Sequence, residues 1–367
     1  MRIALLDPPS YSPDYDHHLA AALGARGHEV ELITSPFAFG EPPAPEGYER
    51  RELFLPLSAR FLRRAPRSRL RRPLKALEYG PSIVRLLGHL RRMRPDVVNV
   101  QWLPAGTRDL VWARRLPRPR VFTAHNVLPH EGQADVEARL RLYSTFDRIV
   151  VHTERGVEQL ERFGVPAERV VRIRHGTFDG PVEPPNGRTL LFFGLIRRYK
   201  GLDVLVRALS EVRDAQLVVA GDPLDPVEPT RQLADELGVS DRIEWRLGYR
   251  PQHEVEALMR DATVTVFPYH SGESASGTLS TALGHGRPAV VTEPLGETVR
   301  EFGAGAVVPP DDPTALATAI NELLDDPAEA FAGTERAREA LSWSAIAEAH
   351  ERLYSELTAK VAAGDRD

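Results

Sequence analysis

Short runs of aliphatic and β-branched residues recur along the chain, separated by stretches whose apolar positions fall at helical spacing. In the first half these runs are 2–7, 29–34, 96–101, 120–124, 148–152 and 169–174. Amphipathic segments such as 17–26 and 155–163 lie between most of them. The runs are nearly continuous in hydrophobicity rather than alternating. That is the signature of strands covered on both faces, and hence of a parallel sheet flanked by helices. Residues 179–187 then interrupt the pattern with Pro and Gly and predict a linker between domains. The alternation restarts with runs at 189–193, 216–220, 242–246, 263–267 and 288–292. The expected fold class is therefore α/β, with two Rossmann-like units. A first domain is expected over 1–180 and a second over 181–342. A helix over 343–367 is expected to pack back toward the first domain. Two such units would place a ligand cleft at the carboxyl ends of their strands.

Composition changes this picture little. The chain has 367 residues, enough for two cores, and its formal net charge of −5 argues against a general nucleic-acid binder. It contains no cysteine, which excludes disulfides, thiolate nucleophiles and Cys-based zinc sites, and fits a reducing compartment. The start, Met1 to Asp7, holds one basic residue and a short apolar run, and reads as a first strand rather than a signal peptide. No apolar stretch approaches the roughly 20 residues that span a bilayer. A cytoplasmic protein is the expectation.

Chemistry concentrates in two loops of the second half. After the strand at 189–193 come Gly194, Arg197, Lys200 and Gly201. Gly194 permits close backbone approach to a ligand. Arg197 and Lys200 offer a planar fork and a compact charge that suit a diphosphate leaving group, although a solvated basic turn has the same composition. The second loop runs Tyr269-His270-Ser271-Gly272-Glu273-Ser274-Ala275-Ser276-Gly277-Thr278 into a helix. Ser274 or Ser276 can cap that helix. Its free N–H groups and dipole then form an anion site, with Gly277 leaving room for a phosphate.

With these residues in order, the chain resembles the retaining GT-B glycosyltransferases of the family-4 type. The Gly-x-x-Arg-x-x-Lys-Gly pattern matches Gly194, Arg197, Lys200 and Gly201. The family's Glu-x7-Glu motif would begin at Glu273, followed by Ala282, Gly286, Pro288 and Val290 of an Ala-x-x-x-Gly-x-Pro-x-Val run. Gly27-His28-Glu29-Val30 and His175-Gly176 are also family-like. The resemblance implies two Rossmann-like domains facing a central cleft, and transfer of a hexose-type sugar from UDP or GDP to an acceptor hydroxyl with retention of configuration. No metal or other cofactor is implied. It also implies that Glu273 contacts the donor sugar, that Arg197 and Lys200 stabilise the leaving diphosphate, and that Gly194, Ser274, Ser276, Gly277 and Thr278 hold the donor. Two positions depart from the pattern. Thr281 stands where the second glutamate, which binds the nucleotide ribose, belongs. Leu195 stands where many members carry arginine.

In the first half, His125 follows the strand at 120–124 and by resemblance faces the reacting sugar. His130 and Glu131 lie close enough in sequence to suggest a metal, but the spacing matches no compact zinc motif. His152 ends another strand. Tyr15, Asp16 and His17 take the place of the family's Gly-rich loop and are expected, with His152, to line the acceptor site for a carbohydrate, lipid-linked or small-molecule acceptor. The stretch 60–94 is rich in arginine, and Ile83, Leu86, Leu87, Leu90 and Met93 recur at helical spacing. It reads either as a docking surface for an anionic membrane or, preferably, as a solvated basic surface on a core-facing helix. A GT-B-type nucleotide-sugar epimerase and a non-catalytic nucleotide-sugar-binding homologue are the rival functions. The first would release product without an acceptor, and the second would bind nucleotide without transfer.

Overall fold

The computed structural model describes residues 1–37, 41–64, 71–103, 106–127, 136–184, 187–271 and 275–364. The chain divides into two compact units. One comprises Met1–Arg174 together with Trp343–Asp367, and the other His175–Ser342.

The first unit is built on a seven-stranded parallel sheet of β1 (Arg2–Asp7), β2 (Glu29–Thr34), β3 (Glu49–Glu52), β4 (Val97–Val100), β5 (Arg120–Thr123), β6 (Arg148–Val151) and β7 (Val170–Arg172), in the order β3-β2-β1-β4-β5-β6-β7. The inner strands are buried along their length because helices cover both faces, which is why they read as unbroken apolar runs. Strand β3 escaped the sequence reading. Its residues, Glu-Arg-Arg-Glu, carry no hydrophobic signal because it is a charged edge strand paired only with β2. One core gathers Leu6, Val98, Val100, Phe122 and Ile149 from the sheet, and Leu86 and Leu90 from the helix Arg71–Met93. Ile83, Leu87 and Met93 pack against it. The apolar stripe in the basic stretch is thus core.

The helix Trp343–Ala363 packs within this first unit, against the helix Pro13–Ala25. Tyr354 is fully buried and its hydroxyl accepts a 2.6 Å bond from Asn99 Nδ2 on β4. Arg26 Nε donates to Glu351 at 2.5 Å.

The second unit holds a six-stranded parallel sheet of β8 (Thr189–Phe193), β9 (Gln216–Gly221), β10 (Ile243–Leu247), β11 (Val264–Phe267), β12 (Ala289–Thr292) and β13 (Gly305–Val308), in the order β10-β9-β8-β11-β12-β13. Strand β13 is short and begins in glycine, and the sequence pattern missed it. The change of unit falls at Arg174–His175, ahead of the Pro- and Gly-rich run. Thr177 N–H bonds to Leu341 O, Phe178 N–H to Ser280 O and Gly180 N–H to Gly284 O, which ties this segment into the second unit.

In both sheets the strand order reverses direction between the first strand and its later neighbour, at β1/β4 and at β8/β11. Crossovers leave in opposite directions there, so the loops at the carboxyl ends separate and open a crevice. These two switch points are where candidate site residues collect.

Candidate active site

At the second unit's switch point, β8 ends in Gly194, whose φ of +120° is easy only for glycine. A Cβ there would lie 2.6 Å from Thr278 Cγ2 and 3.2 Å from Lys200 Nζ. The missing side chain therefore lets Lys200 and the start of the helix Gly277–Gly284 close on the strand end. Gly201 follows at φ +67°, where any side chain would collide with the Pro268 carbonyl. That turn carries Lys200 inward, so it is only 7% exposed, with its ammonium 5.0 Å from the centre of the Tyr269 ring. Burial raises the pKa of the Tyr269 phenol, but the Lys200 charge and the hydrogen bonds from Lys200, Ser276 and Thr278 outweigh it and hold the pKa below its ordinary value. The phenol oxygen lies 3.3 Å from both Ser276 Oγ and Thr278 Oγ1, which are 2.8 Å from each other. Ser276 is the N-cap, and its Oγ accepts from Leu279 N–H. Among the described residues, a Cβ on Gly277 would meet only the Phe178 ring within 4 Å.

One buried cation, three hydroxyls and a helix N-terminus thus meet at a strand end, an arrangement suited to an anion. Arg197 is half-buried in the same loop, its carbonyl accepting from Lys200 N–H. Thr281 turns its hydroxyl onto the helix's own backbone, donating to Gly277 O at 2.9 Å. Glu273 and Ser274, and likewise His130 and Glu131, lie outside the described residues. Tyr269 was not singled out in the sequence. Its place two residues beyond β11, at the switch point, is the signal that could have found it.

The first unit's switch point is lined differently. His125 follows β5, and its Nε2 lies 3.0 Å from Gln101 Oε1, just past β4. Trp102 stacks on His125 at 5.0 Å with planes 9° apart, and its indole N–H donates to Ser12 Oγ at 2.8 Å. His125 Nδ1 is 3.2 Å from His152 Nε2, and His152 Nδ1 is 2.9 Å from the Ile173 carbonyl. His152 is buried, and desolvation pushes its pKa down to about 4 despite that backbone bond.

The sequence places Tyr15, Asp16 and His17 in a loop before a helix starting at 17. The helix instead begins at Pro13, with proline at its first position and Asp14 and Asp16 in the first turn, both favoured there. The three residues are consequently buried helix residues in this structure. Tyr15 packs edge-on against His125 at 4.7 Å and against Trp343 at 5.0 Å. His17 Nδ1 lies 3.1 Å from the Tyr48 hydroxyl. Asp16 shares a hydrogen bond with Asp7 at the end of β1. Burial and the facing Asp7 carboxylate hold Asp16 well above the ordinary carboxyl range, and burial raises Asp7 too. Gln101, Trp102 and Trp343 were not recognised from the sequence. The first two directly follow β4, beside the switch point.

Among the described residues no helix is long and apolar enough to cross a membrane. Comparison with known proteins matches residues 187–326 to the model for glycosyl transferases group 1 and residues 15–177 to that for glycosyltransferase family 4. A D-inositol 3-phosphate glycosyltransferase of Thermobispora bispora is 28% identical, covering 95% of this chain and 90% of that protein. The protein of the same name from Corynebacterium jeikeium is 32% identical, covering 68% and 69%. Among solved structures, the sucrose-phosphate synthase of Thermosynechococcus elongatus superposes with a TM-score of 0.76 at 22% identity, covering 98% of this chain and 99% of that one. Anabaena HepE, in complex with UDP and glucose, gives 0.73 at 17% identity, covering 97% and 100%. The architecture they share with this chain is GT-B, two Rossmann-like parallel sheets flanked by helices. The chain belongs to the group 1 glycosyltransferases.

Proposed function

We propose that the enzyme transfers a hexose-type sugar from a nucleoside diphosphate to an acceptor hydroxyl, with retention of configuration and without a metal. The observation that carries this reading is the anion site of Lys200, Tyr269, Ser276, Thr278 and the start of the helix Gly277–Gly284. Negative charge grows on the diphosphate as the glycosidic bond breaks. A preorganised cation and oriented N–H groups stabilise that charge more than they stabilise the ground state. Arg197 adds a second cation from the same loop. Without a carboxylate nucleophile in this reading, departure and attack take place on one face of the sugar, which preserves its configuration.

Uridine is the preferred base, since a structure of the same fold is solved with UDP and glucose. The first unit holds the acceptor, a carbohydrate, lipid-linked or small polyol substrate, with His125 directed at the reacting hydroxyl. Contact with an anionic membrane through 60–94 is the second reading of the basic stretch, favoured by Leu77 and Val84, which stand more than two-thirds exposed on a helix rich in arginine.

Titration calorimetry with UDP and GDP, followed by turnover with the corresponding nucleotide sugars, tests the reading. Saturable binding that Lys200→Met weakens at least tenfold supports it, as does an NMR spectrum showing the sugar joined to an acceptor. Binding and turnover unchanged in Lys200→Met would sink the site. Isomerised sugar formed without acceptor would make the protein an epimerase.

A further inference from the structure

The buried polar groups of the first unit include one chain whose proton positions follow from chemistry. A carbonyl oxygen can only accept, so the 2.9 Å contact from His152 Nδ1 to Ile173 O places a hydrogen on Nδ1. Burial keeps His152 neutral at physiological pH, with its pKa near about 4, so its Nε2 carries a lone pair. That lone pair faces His125 Nδ1 at 3.2 Å, and the contact is a hydrogen bond only if His125 Nδ1 bears the hydrogen. The remaining nitrogen of His125, Nε2, then faces the Gln101 carboxamide at 3.0 Å.

Gln101 is itself fully buried, and its amide nitrogen has no partner as placed. A half-turn of the carboxamide brings that nitrogen to His125 Nε2, so an N–H donates to the neutral ring. The unturned carboxamide accepts instead from a protonated ring. Gln101 can therefore satisfy either charge state of His125, while His152 accepts from Nδ1–H in both. Trp102 on one face and Tyr15 on an edge fix the ring plane.

We propose that His152 is a positioning residue. Anchored on the Ile173 carbonyl, it fixes His125 as the Nδ1–H tautomer and leaves Nε2 facing Gln101, whose carboxamide follows the charge state of the ring. The two ring nitrogens of His152 are held by the Ile173 carbonyl and by His125 Nδ1. The inference deepens the reading of His125 in sugar transfer, but its first test does not depend on that reading.

The full chain, labelled with ¹⁵N-histidine, gives ring-nitrogen spectra at pH 8 in which the His125 signals are identified by their loss in His125→Asn. The expected result is a hydrogen on Nδ1 and a bare Nε2 in the unaltered protein. His152→Phe, which keeps a ring but has no acceptor, should shift His125 toward Nε2–H. Turnover should fall about 10- to 100-fold in that variant, with the donor KM within about threefold, the pattern of a lost orienting partner. Nε2–H in the unaltered protein overturns the proposal whether or not the variant folds. Nδ1–H persisting in a folded His152→Phe also overturns it. Should no sugar transfer be found while the tautomer shifts as stated, the histidine chain stands and only the assigned reaction fails.

Discussion

At the first sheet's switch point the groups that meet are rings and buried carboxyls. His125 lies between Trp102 and Tyr15, Asp16 is buried beside Asp7, and Gln101 is sealed among them. At the second sheet's switch point they are a cation, three hydroxyls and the start of a helix. The strand order is the same in both places, apart from the additional edge strand β7 of the first sheet. The difference teaches that a doubly wound sheet supplies a location and the loops supply the chemistry. A glycine at the end of β8 lets Lys200 and the helix start at Gly277 close on the strand end. The first sheet has Asp7 at the end of β1, and a helix that begins on proline and buries aromatic side chains.

If the second switch point is the electrostatic one, removing its cation should do the most damage. Lys200→Met is expected to lower kcat/KM by about 10²- to 10³-fold, the scale of one lost oxyanion donor, with an unchanged circular dichroism spectrum. An effect below threefold would erase the contrast between the two regions. His125→Asn should lower kcat by about 10²-fold, the scale of one lost hydrogen-bonding group at the reacting centre, yet leave nucleoside diphosphate affinity by calorimetry within about twofold. Loss of that affinity would mean that the regions do not divide the work.

The contrast also has a pH signature. His152 and His350 are fully buried, and desolvation pulls each from 6.5 down to about 4, with backbone carbonyls opposing only in part. Between pH 6.5 and 4 the unfolded chain binds protons that the folded chain refuses. Stability should therefore fall as pH falls through that window, by up to roughly 3 kcal/mol per histidine. The Asp7–Asp16 pair has the opposite sign. Its folded pKa values lie above 3.8, so its contribution is present at low pH and is lost as pH rises. Thermal melts from pH 4 to 8 should show a steeper rise of Tm with pH in Asp16→Asn than in the unaltered chain. A shallower rise would show that the pair is not held above its ordinary range. The smallest effect is expected from Thr281→Glu. It introduces the carboxylate that the resemblance expects at this position for the ribose, and should tighten UDP binding several-fold, or about 1 kcal/mol. Weaker binding would show that this chain holds the ribose by another route.

Much of this was legible beforehand because it depends on local pattern. Buried parallel strands must be apolar along their length, so eleven of the runs could be read. The edge strand β3 is solvated and charged, and β13 is a half-buried edge strand that opens on glycine and alanine, so neither could. In the anion site, Gly194, Lys200, Ser276 and Gly277 were readable because a turn, a cap and a charge each leave a residue-type signature. Tyr269 and Gln101 leave none, since a tyrosine or glutamine after a strand is ordinary until its neighbours are known.

The sequence by itself determined the parallel α/β class, the order of strand and helix through both halves, and the residue types that gather at each strand end. Tertiary structure decided which of those residues are pressed together and in what protonation state. It assigned the helix Trp343–Ala363 to the first unit, with Trp343 against Tyr15 and Tyr354 against Asn99. It turned Thr281 onto its own helix, and it made His152 a neutral acceptor behind His125. The physical reason is that burial and proton position are properties of an environment shared by residues distant in sequence. A one-dimensional pattern records only what each segment contributes to it.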